Sequence, residues 1–315
     1  MILSASRRTD LPDHYADWFY DRIKEGFLYV RNPFRFHQVS KIRLSPAVID
    51  CIVFWTKNPE NMFPRLHELD PYDYCFQFTL TGYGQDIEPG IPHKRRHMIP
   101  VFCTLSDRIG SDRVIWRYDP ILLNDIYTPA YHRRAFREIA RSLNGRTRRV
   151  VISFVNLYAK TKRNMDALAL QTPPQKTLLS LAADLAETAA ANQMEIYSCA
   201  EEIDLQKAGI RHGSCIDKAY LEKIIGCRLD GARDKGQRKE CNCLESVDIG
   251  SYNTCGSGCR YCYANFSVAK VNANRHAYDA DSPLLCSALT GQDQISERAL
   301  RSLKIRQRSL FDDFD

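Results

Sequence analysis

Asp50-Cys51-Ile52-Val53-Phe54-Trp55-Thr56 is an apolar run held between two polar residues. A strand with one wet face alternates apolar and polar residues. A run without alternation fits a strand covered on both faces, as in a parallel sheet. Asn58-Pro59 ends it, and the segment after Pro59 reads as a helix start. Working outward, β-rich runs alternate with helix-like stretches. The strands are residues 2–6, 74–80, 113–118, 149–155 and 195–199, with helices at about 13–25, 131–143 and from Pro173-Pro174 to about Asn192. Asn144-Gly145 is a C-cap signal, and the paired prolines suit a helix entry. Strands separated by helices imply parallel βαβ units of one hand. The expected fold class is therefore α/β, as a full or partial (β/α) TIM-like barrel. A doubly wound sheet is the alternative. The first strand lacks a glycine-rich phosphate fingerprint, which argues against a nucleotide-binding unit of that kind.

Barrel enzymes place their chemistry just after the strands. Here those positions read 6–10, 56–58, 79–81, 117–119, 156–158 and 199–202, all polar. Arg117, Asp119 and Glu201 are the candidate catalytic residues. The bland reading of Asp119 is a turn before Pro120.

Beyond Arg211 the character changes. A short helix at about 217–225 leads to a basic segment, then Cys241-Asn242-Cys243, then a strand-like 245–250. Next comes Cys255-Gly256-Ser257-Gly258-Cys259-Arg260-Tyr261-Cys262, spaced C-x3-C-x2-C. Three thiolates on one loop can hold three irons of a cubic [4Fe–4S] cluster and leave the fourth open. Gly256 and Gly258 let the backbone fold tightly there. S-adenosylmethionine is a cofactor such an open iron can take. Cys241 and Cys243 are possible further ligands: they offer a closed zinc knot, a fourth ligand, a second metal site with Cys215 or Cys227, or a redox pair. Residues 262–265 read as a helix entry.

Three segments are expected: a barrel body at 1–210, a cysteine-rich segment at 211–270 completing it, and a basic tail at 271–315. Twelve cysteines in a chain of 315 residues are too dilute for a disulfide scaffold, and their clustering suits metal in a reducing compartment. Cys51, Cys75 and Cys103 read as core, and Cys286 as incidental. No apolar run approaches bilayer length, and the start lacks a signal-peptide core, so the expected location is cytoplasmic with no membrane partner. The net charge of +6 is gathered at 94–97, 132–134, 146–149, 160–163 and 298–308. These clusters admit nucleic acid as a partner, although solvated helix faces look the same and no nucleic-acid motif accompanies them. The terminal 311–315 reads as a docking peptide or as disorder.

The trio with its surroundings, Cys259-x-Tyr261-Cys262-Tyr263-Ala264, resembles the cluster motif of the spore photoproduct lyase group of the radical S-adenosylmethionine superfamily. The longer pattern, Ser4-Ala5-Ser6-Arg7-Arg8-Thr9-Asp10 near the start with the cysteine loop near the end, is similar to an uncharacterised bacterial family known as a domain of unknown function. That similarity runs to about Lys270. The resemblance implies cluster ligands at Cys255, Cys259 and Cys262, with Tyr261 beside the cluster or the adenine. It implies cofactor contacts from Ser6 and Arg7, and an electron donor such as a flavodoxin or ferredoxin. It departs from the superfamily in two places. The cysteine loop follows the last strand instead of the first, which a circular permutation reconciles. Residues 4–8 also stand where a Gly-Gly-Glu-like segment holds the methionine amine.

Overall fold

The computed structural model describes residues 1–155, 164–237 and 241–305. The expected loop at 156–158, the basic run at 160–163, and the tail from 306 onward lie outside them. Among the described residues, eight strands form one parallel sheet. They are β1 (Ile2–Ala5), β4 (Cys51–Thr56), β5 (Tyr74–Thr79), β6 (Val114–Ile121), β7 (Arg149–Phe154), β8 (Glu195–Cys199), β9 (Arg211–Gly213) and β10 (Ser246–Asp248). The order β10-β1-β4-β5-β6-β7-β8-β9 steps in one direction from β1 to β9. A doubly wound sheet reverses at a switch point; this one does not. The last strand, β10, returns to pair beside the first, with Ile2 opposite Ser246 and Ser4 opposite Asp248. The architecture is mixed α/β, an eight-stranded parallel sheet flanked by helices and compatible with a partial TIM-like barrel.

Period two sorts the side chains to two faces. Outward go Leu3, Phe54, Phe76, Phe78, Trp116 and Ile152, all buried in the main apolar cluster. Three neighbouring helices each send an aromatic ring into that layer. Phe19 of α2 (Ala16–Glu25) meets Phe54 at 5.2 Å, Phe102 of α3 (Ile99–Ile109) meets Phe78 at 4.9 Å, and Phe136 of α4 (Pro129–Ser142) stacks on Trp116 at 4.6 Å. Inward go Ile2, Cys51, Val53, Cys75, Ile115 and Val151, covered by Ile216, Leu229, Cys243 and Leu244 of the segment joining β9 to β10. One step further along the same strands the inward residues turn polar: Ser4, Gln77, Arg117 and Ser153 are all buried.

A second sheet joins β2 (Phe27–Arg31), β3 (Gln38–Arg43) and β11 (Gln294–Glu297). This hairpin and its parallel partner have no counterpart in the sequence expectations. Residues 271–305, read as a tail, contribute β11 and most of the helix Val268–His276. Cys286 is buried there beside Tyr15. Cys51 and Cys75 are fully buried, and Cys103 is partly so.

Three helix readings are revised. The helix expected at 13–25 is broken at Tyr15 (φ −141°, ψ 31°) into α1 (Leu11–His14) and α2. Asp10 caps the first piece, and the Tyr15 hydroxyl donates to Thr254 O at 2.5 Å in the cysteine loop. The segment after Pro59 is a 3-10 helix, Glu60–Leu69, with Pro64 inside, where proline supplies no backbone donor. The helix expected at 262–265 begins at Val268, with Ser267 as its cap. Residues before it are held instead by the Asn253 side chain, which accepts from Phe266 and Ser267 N–H. No described helix is long and apolar enough to cross a membrane.

Candidate metal centre

The cysteine loop follows β10 directly, as strand, loop and helix. Asp248, the last residue of β10, fixes where it starts. Its carboxylate accepts from Ser4 Oγ (2.9 Å), Ser6 Oγ (2.7 Å), Arg7 N (2.8 Å) and Gly250 N (3.1 Å). Ser6 therefore spends its hydroxyl on the β1–β10 joint. Arg7 does the same with its guanidinium, which donates to Ser246 Oγ at 3.0 Å and lies 3.7 Å from Asp248.

From there the loop is clamped on three sides. Gly90 N donates to Ser257 O (3.0 Å), and Arg260 N to Ile87 O (3.0 Å), docking it on the loop after β5. His14 Nε2 meets Ser257 Oγ at 3.1 Å, docking it on α1. Asn265 Nδ2 donates to Cys255 O (2.6 Å), closing it on itself. Gly90 is needed for the first clamp, because a Cβ there would meet Ser257 O at 2.7 Å and Ser257 Cα at 2.9 Å.

The three thiols share one neighbourhood. Cys259 feels the charges of Cys262 and Cys255, and Cys255 feels Asp10 and Cys262. Burial, then Asp10, pushes the Cys255 thiol up to about 12. Burial also raises Cys259 and Cys262, although Lys57 acts against it at both. Such thiols stay protonated until a metal displaces the proton, which coordination does outright.

Beside Cys259 lies a buried ion cluster. Glu88, from the loop after β5, accepts from Lys57 Nζ (2.7 Å), Thr81 Oγ1 (2.9 Å), Lys94 Nζ and the Tyr261 hydroxyl. Burial alone would raise its carboxyl, but the two lysines outweigh that and hold it at about 2. Lys57 keeps its proton for the converse reason: burial opposes the ammonium, and Glu88 and Cys259 restore it. On the other side, burial raises both Asp10 and Asp13, and it lowers His14 to about 4.

Tyr261 thus sits with its hydroxyl on Glu88 and its ring centroid 5.4 Å from Lys57 Nζ. Arg117 and Asp119 are brought together on the inner face. The guanidinium donates to Asp119 and to Gln77 Oε1 (3.2 Å) and lies 5.3 Å over the Trp55 ring, while Ser153 donates to Asp119. Glu201 accepts from Phe154 N (2.7 Å) at the end of β7. The free thiols of Cys241 and Cys243 hydrogen-bond to one another, and Ile216 N donates to Cys243 Sγ at 3.4 Å. They belong to the inner-face apolar cluster. Cys215 is joined to Cys199 as a disulfide, with Cα atoms 6.4 Å apart.

Glu88, Lys57 and Lys94 were not singled out as site residues in the sequence. Lys57 lies in one of the polar strand ends and Lys94 in one of the basic clusters, but nothing marks Glu88-Pro89-Gly90 as more than a turn. Lys94 is turned inward, and His132 is fully buried. Arg133, Arg146, Arg148 and Arg149 each pair with an aspartate.

The family model described as domain of unknown function (DUF1848) matches residues 2–264. The chain belongs to that family. The match takes in β1, the ion cluster and all three cysteines of the loop. No curated protein matches the chain. Among solved structures it is similar to a dihydropyrimidinase from Brevibacillus agri NCHU1002 at 10% identity, with a TM-score of 0.31. That alignment covers 70% of this chain and 55% of the other. So slight a likeness carries no argument about fold or activity.

Do the residues fit an iron–sulfur cluster? The donor set is three thiols on one loop. One buried polar atom beside it has no hydrogen-bond partner among the described residues: Asn265 Oδ1, on the residue that closes the loop. Among the described residues no three His, Cys, Asp or Glu side chains are gathered to hold a single metal ion. A cubic cluster does not require that, since each thiolate binds a different iron. The residues fit.

Proposed function

We propose that this protein is an iron–sulfur protein in which Cys255, Cys259 and Cys262 hold a [4Fe–4S] cluster. In this reading it acts as a radical S-adenosylmethionine-like enzyme. The observation that carries it is the company the trio keeps: the three thiols share one buried neighbourhood on a single clamped loop, and their charged neighbours are Lys57, Glu88 and Asp10. Cys241 and Cys243 are engaged with each other and with Ile216 N, and so are poor candidates for a closing ligand.

When bound, such a cluster supplies one electron to cleave the sulfonium of S-adenosylmethionine into an adenosyl radical. The chain's own residues do the rest. Asp248 holds the strand before the loop against β1. Gly90, Ile87 and Asn265 fix the loop, and Arg117 with Asp119 presents a charged pair from the inner face for orienting a substrate. The return of β10 beside β1 supports the permuted-barrel reading, with β10 as the strand that opens the superfamily's barrel. A one-electron donor of the flavodoxin or ferredoxin kind is the implied partner, in the cytoplasm. Nucleic acid as substrate is supported by the lyase-like motif more than by the basic clusters, whose described members are largely paired or buried.

The test is anaerobic iron reconstitution, followed by iron and zinc analysis and electron paramagnetic resonance of the reduced protein with and without S-adenosylmethionine. The reading expects a cubic-cluster signal that changes with the cofactor, formation of deoxyadenosine, and loss of iron in Cys255→Ala, Cys259→Ala and Cys262→Ala but not in Cys243→Ala. A signal indifferent to the cofactor means a closed, electron-transfer cluster. Zinc without iron refutes both iron readings.

A further inference from the structure

The cysteine loop rests against a buried charge imbalance. Two ammonium groups share the single carboxylate of Glu88, Lys57 on one oxygen and Lys94 on the other. The carboxylate is fully enclosed, and the lysine side chains are only 13% and 16% exposed. Thr81 and Tyr261 add neutral donors, so the group carries an excess positive charge. A buried ion without a counter-charge is unfavourable even after relaxation. The excess therefore has to be met from nearby.

The structure shows where it is directed. Lys57 Nζ lies over the ring of Tyr261, and Tyr261 stands between Cys259 and Cys262 in the chain. The Tyr261 hydroxyl and the clamps from Ile87 and Gly90 tie the same loop to the carboxylate's own segment. Cys255, at the other end of the loop, has Asp10 as its first charged neighbour, a carboxyl that also accepts from Lys57 N at 2.7 Å. The field across the trio is thus uneven: Cys259 and Cys262 feel Lys57, whereas Cys255 feels Asp10.

We infer that Lys57 and Lys94, pinned by Glu88, are the counter-charge that raises the reduction potential of a cluster held at Cys259. The inference rests on the cluster reading above and deepens it. Reduction adds one electron to the cluster, delivered by the external one-electron donor, and so adds negative charge beside two fixed cations. Cluster potentials respond to net charge and hydrogen bonding around the sulfurs, and inside a protein the Coulomb energy is not screened as it is in water.

The experiment is a redox titration of the reconstituted holoprotein, followed by electron paramagnetic resonance, with iron per chain measured in every sample. Lys94→Met and Lys57→Met should each move the midpoint to a more negative value at unchanged iron content. Lys94→Arg, which keeps the charge, should leave it near the wild-type value. Midpoints unmoved in both methionine variants, with iron retained, overturn the inference and leave the cluster reading standing. A wild-type protein that takes up no iron overturns both, so the two failures are told apart by the metal analysis.

Discussion

Replacing Glu88 with glutamine is the sharpest test of the site's electrostatics, because it needs no metal. The substitution keeps the shape and removes the one anion that two buried lysines share. Two routes give its size. Breaking a buried ion pair by removing one partner costs ~3–5 kcal/mol. Independently, the carboxyl is held at about 2 against an ordinary 4.5. At ~1.4 kcal/mol per pH unit that difference amounts to ~3 kcal/mol of folding free energy. The agreement sets an expected loss of about 3 kcal/mol at neutral pH, or roughly 6–12 °C in Tm on the scale of large domains. The sign with pH follows from the depressed value. The contribution is complete above pH 4.5 and fades as the pH falls toward 2, so the gap between wild type and Glu88→Gln should close over that range. Thermal or urea unfolding of the metal-free proteins, measured at several pH values, reads both. A Glu88→Gln protein within ~0.5 kcal/mol of wild type at pH 7, the range of an ordinary surface change, would refute the placement of both lysines on this carboxylate.

Other outcomes follow from neighbouring observations. Tyr261→Phe removes one donor to the same carboxylate and should cost ~1.5–3 kcal/mol, less than Glu88→Gln in the same melts. Gly90→Ala drives a Cβ against the backbone of Ser257, which cannot swing aside, whereas Gly256→Ala meets only the end of the Arg275 side chain. Hydrogen exchange should therefore show residues 250–265 loosened in the first variant and little changed in the second. His132 is buried neutral, with Nε2–H on Leu122 O (2.8 Å) and Nδ1 accepting from the Tyr118 hydroxyl (2.8 Å); burial lowers it from 6.5 to about 4. Its stabilisation holds above pH 6.5 and is lost as the pH falls toward 4. His132→Gln should flatten that part of the unfolding profile, and an unchanged profile would show that the histidine does not titrate there.

Period and composition alone specified much of this molecule. Unalternating runs such as 50–56 and 149–155 have to be covered on both sides, and both became central parallel strands. The trio of cysteines was legible as a trio because the spacing of residues on a single loop is a local property. So was the use of strand ends, which put Arg117 and Asp119 on one face two residues apart. What distance along the chain concealed, folding decided. Strand β10 joins β1 across more than two hundred residues through the carboxylate of Asp248, and no local pattern marks Asp248 as that joint. Glu88 lies in an ordinary turn sequence, and its meaning comes from lysines before and after it and a tyrosine far downstream, all meeting in a space that excludes water. Local periodicity reports which face of an element must be buried; only the packed structure decides which buried charges find one another, because the cost of burying a charge is set by whatever partner the rest of the fold delivers.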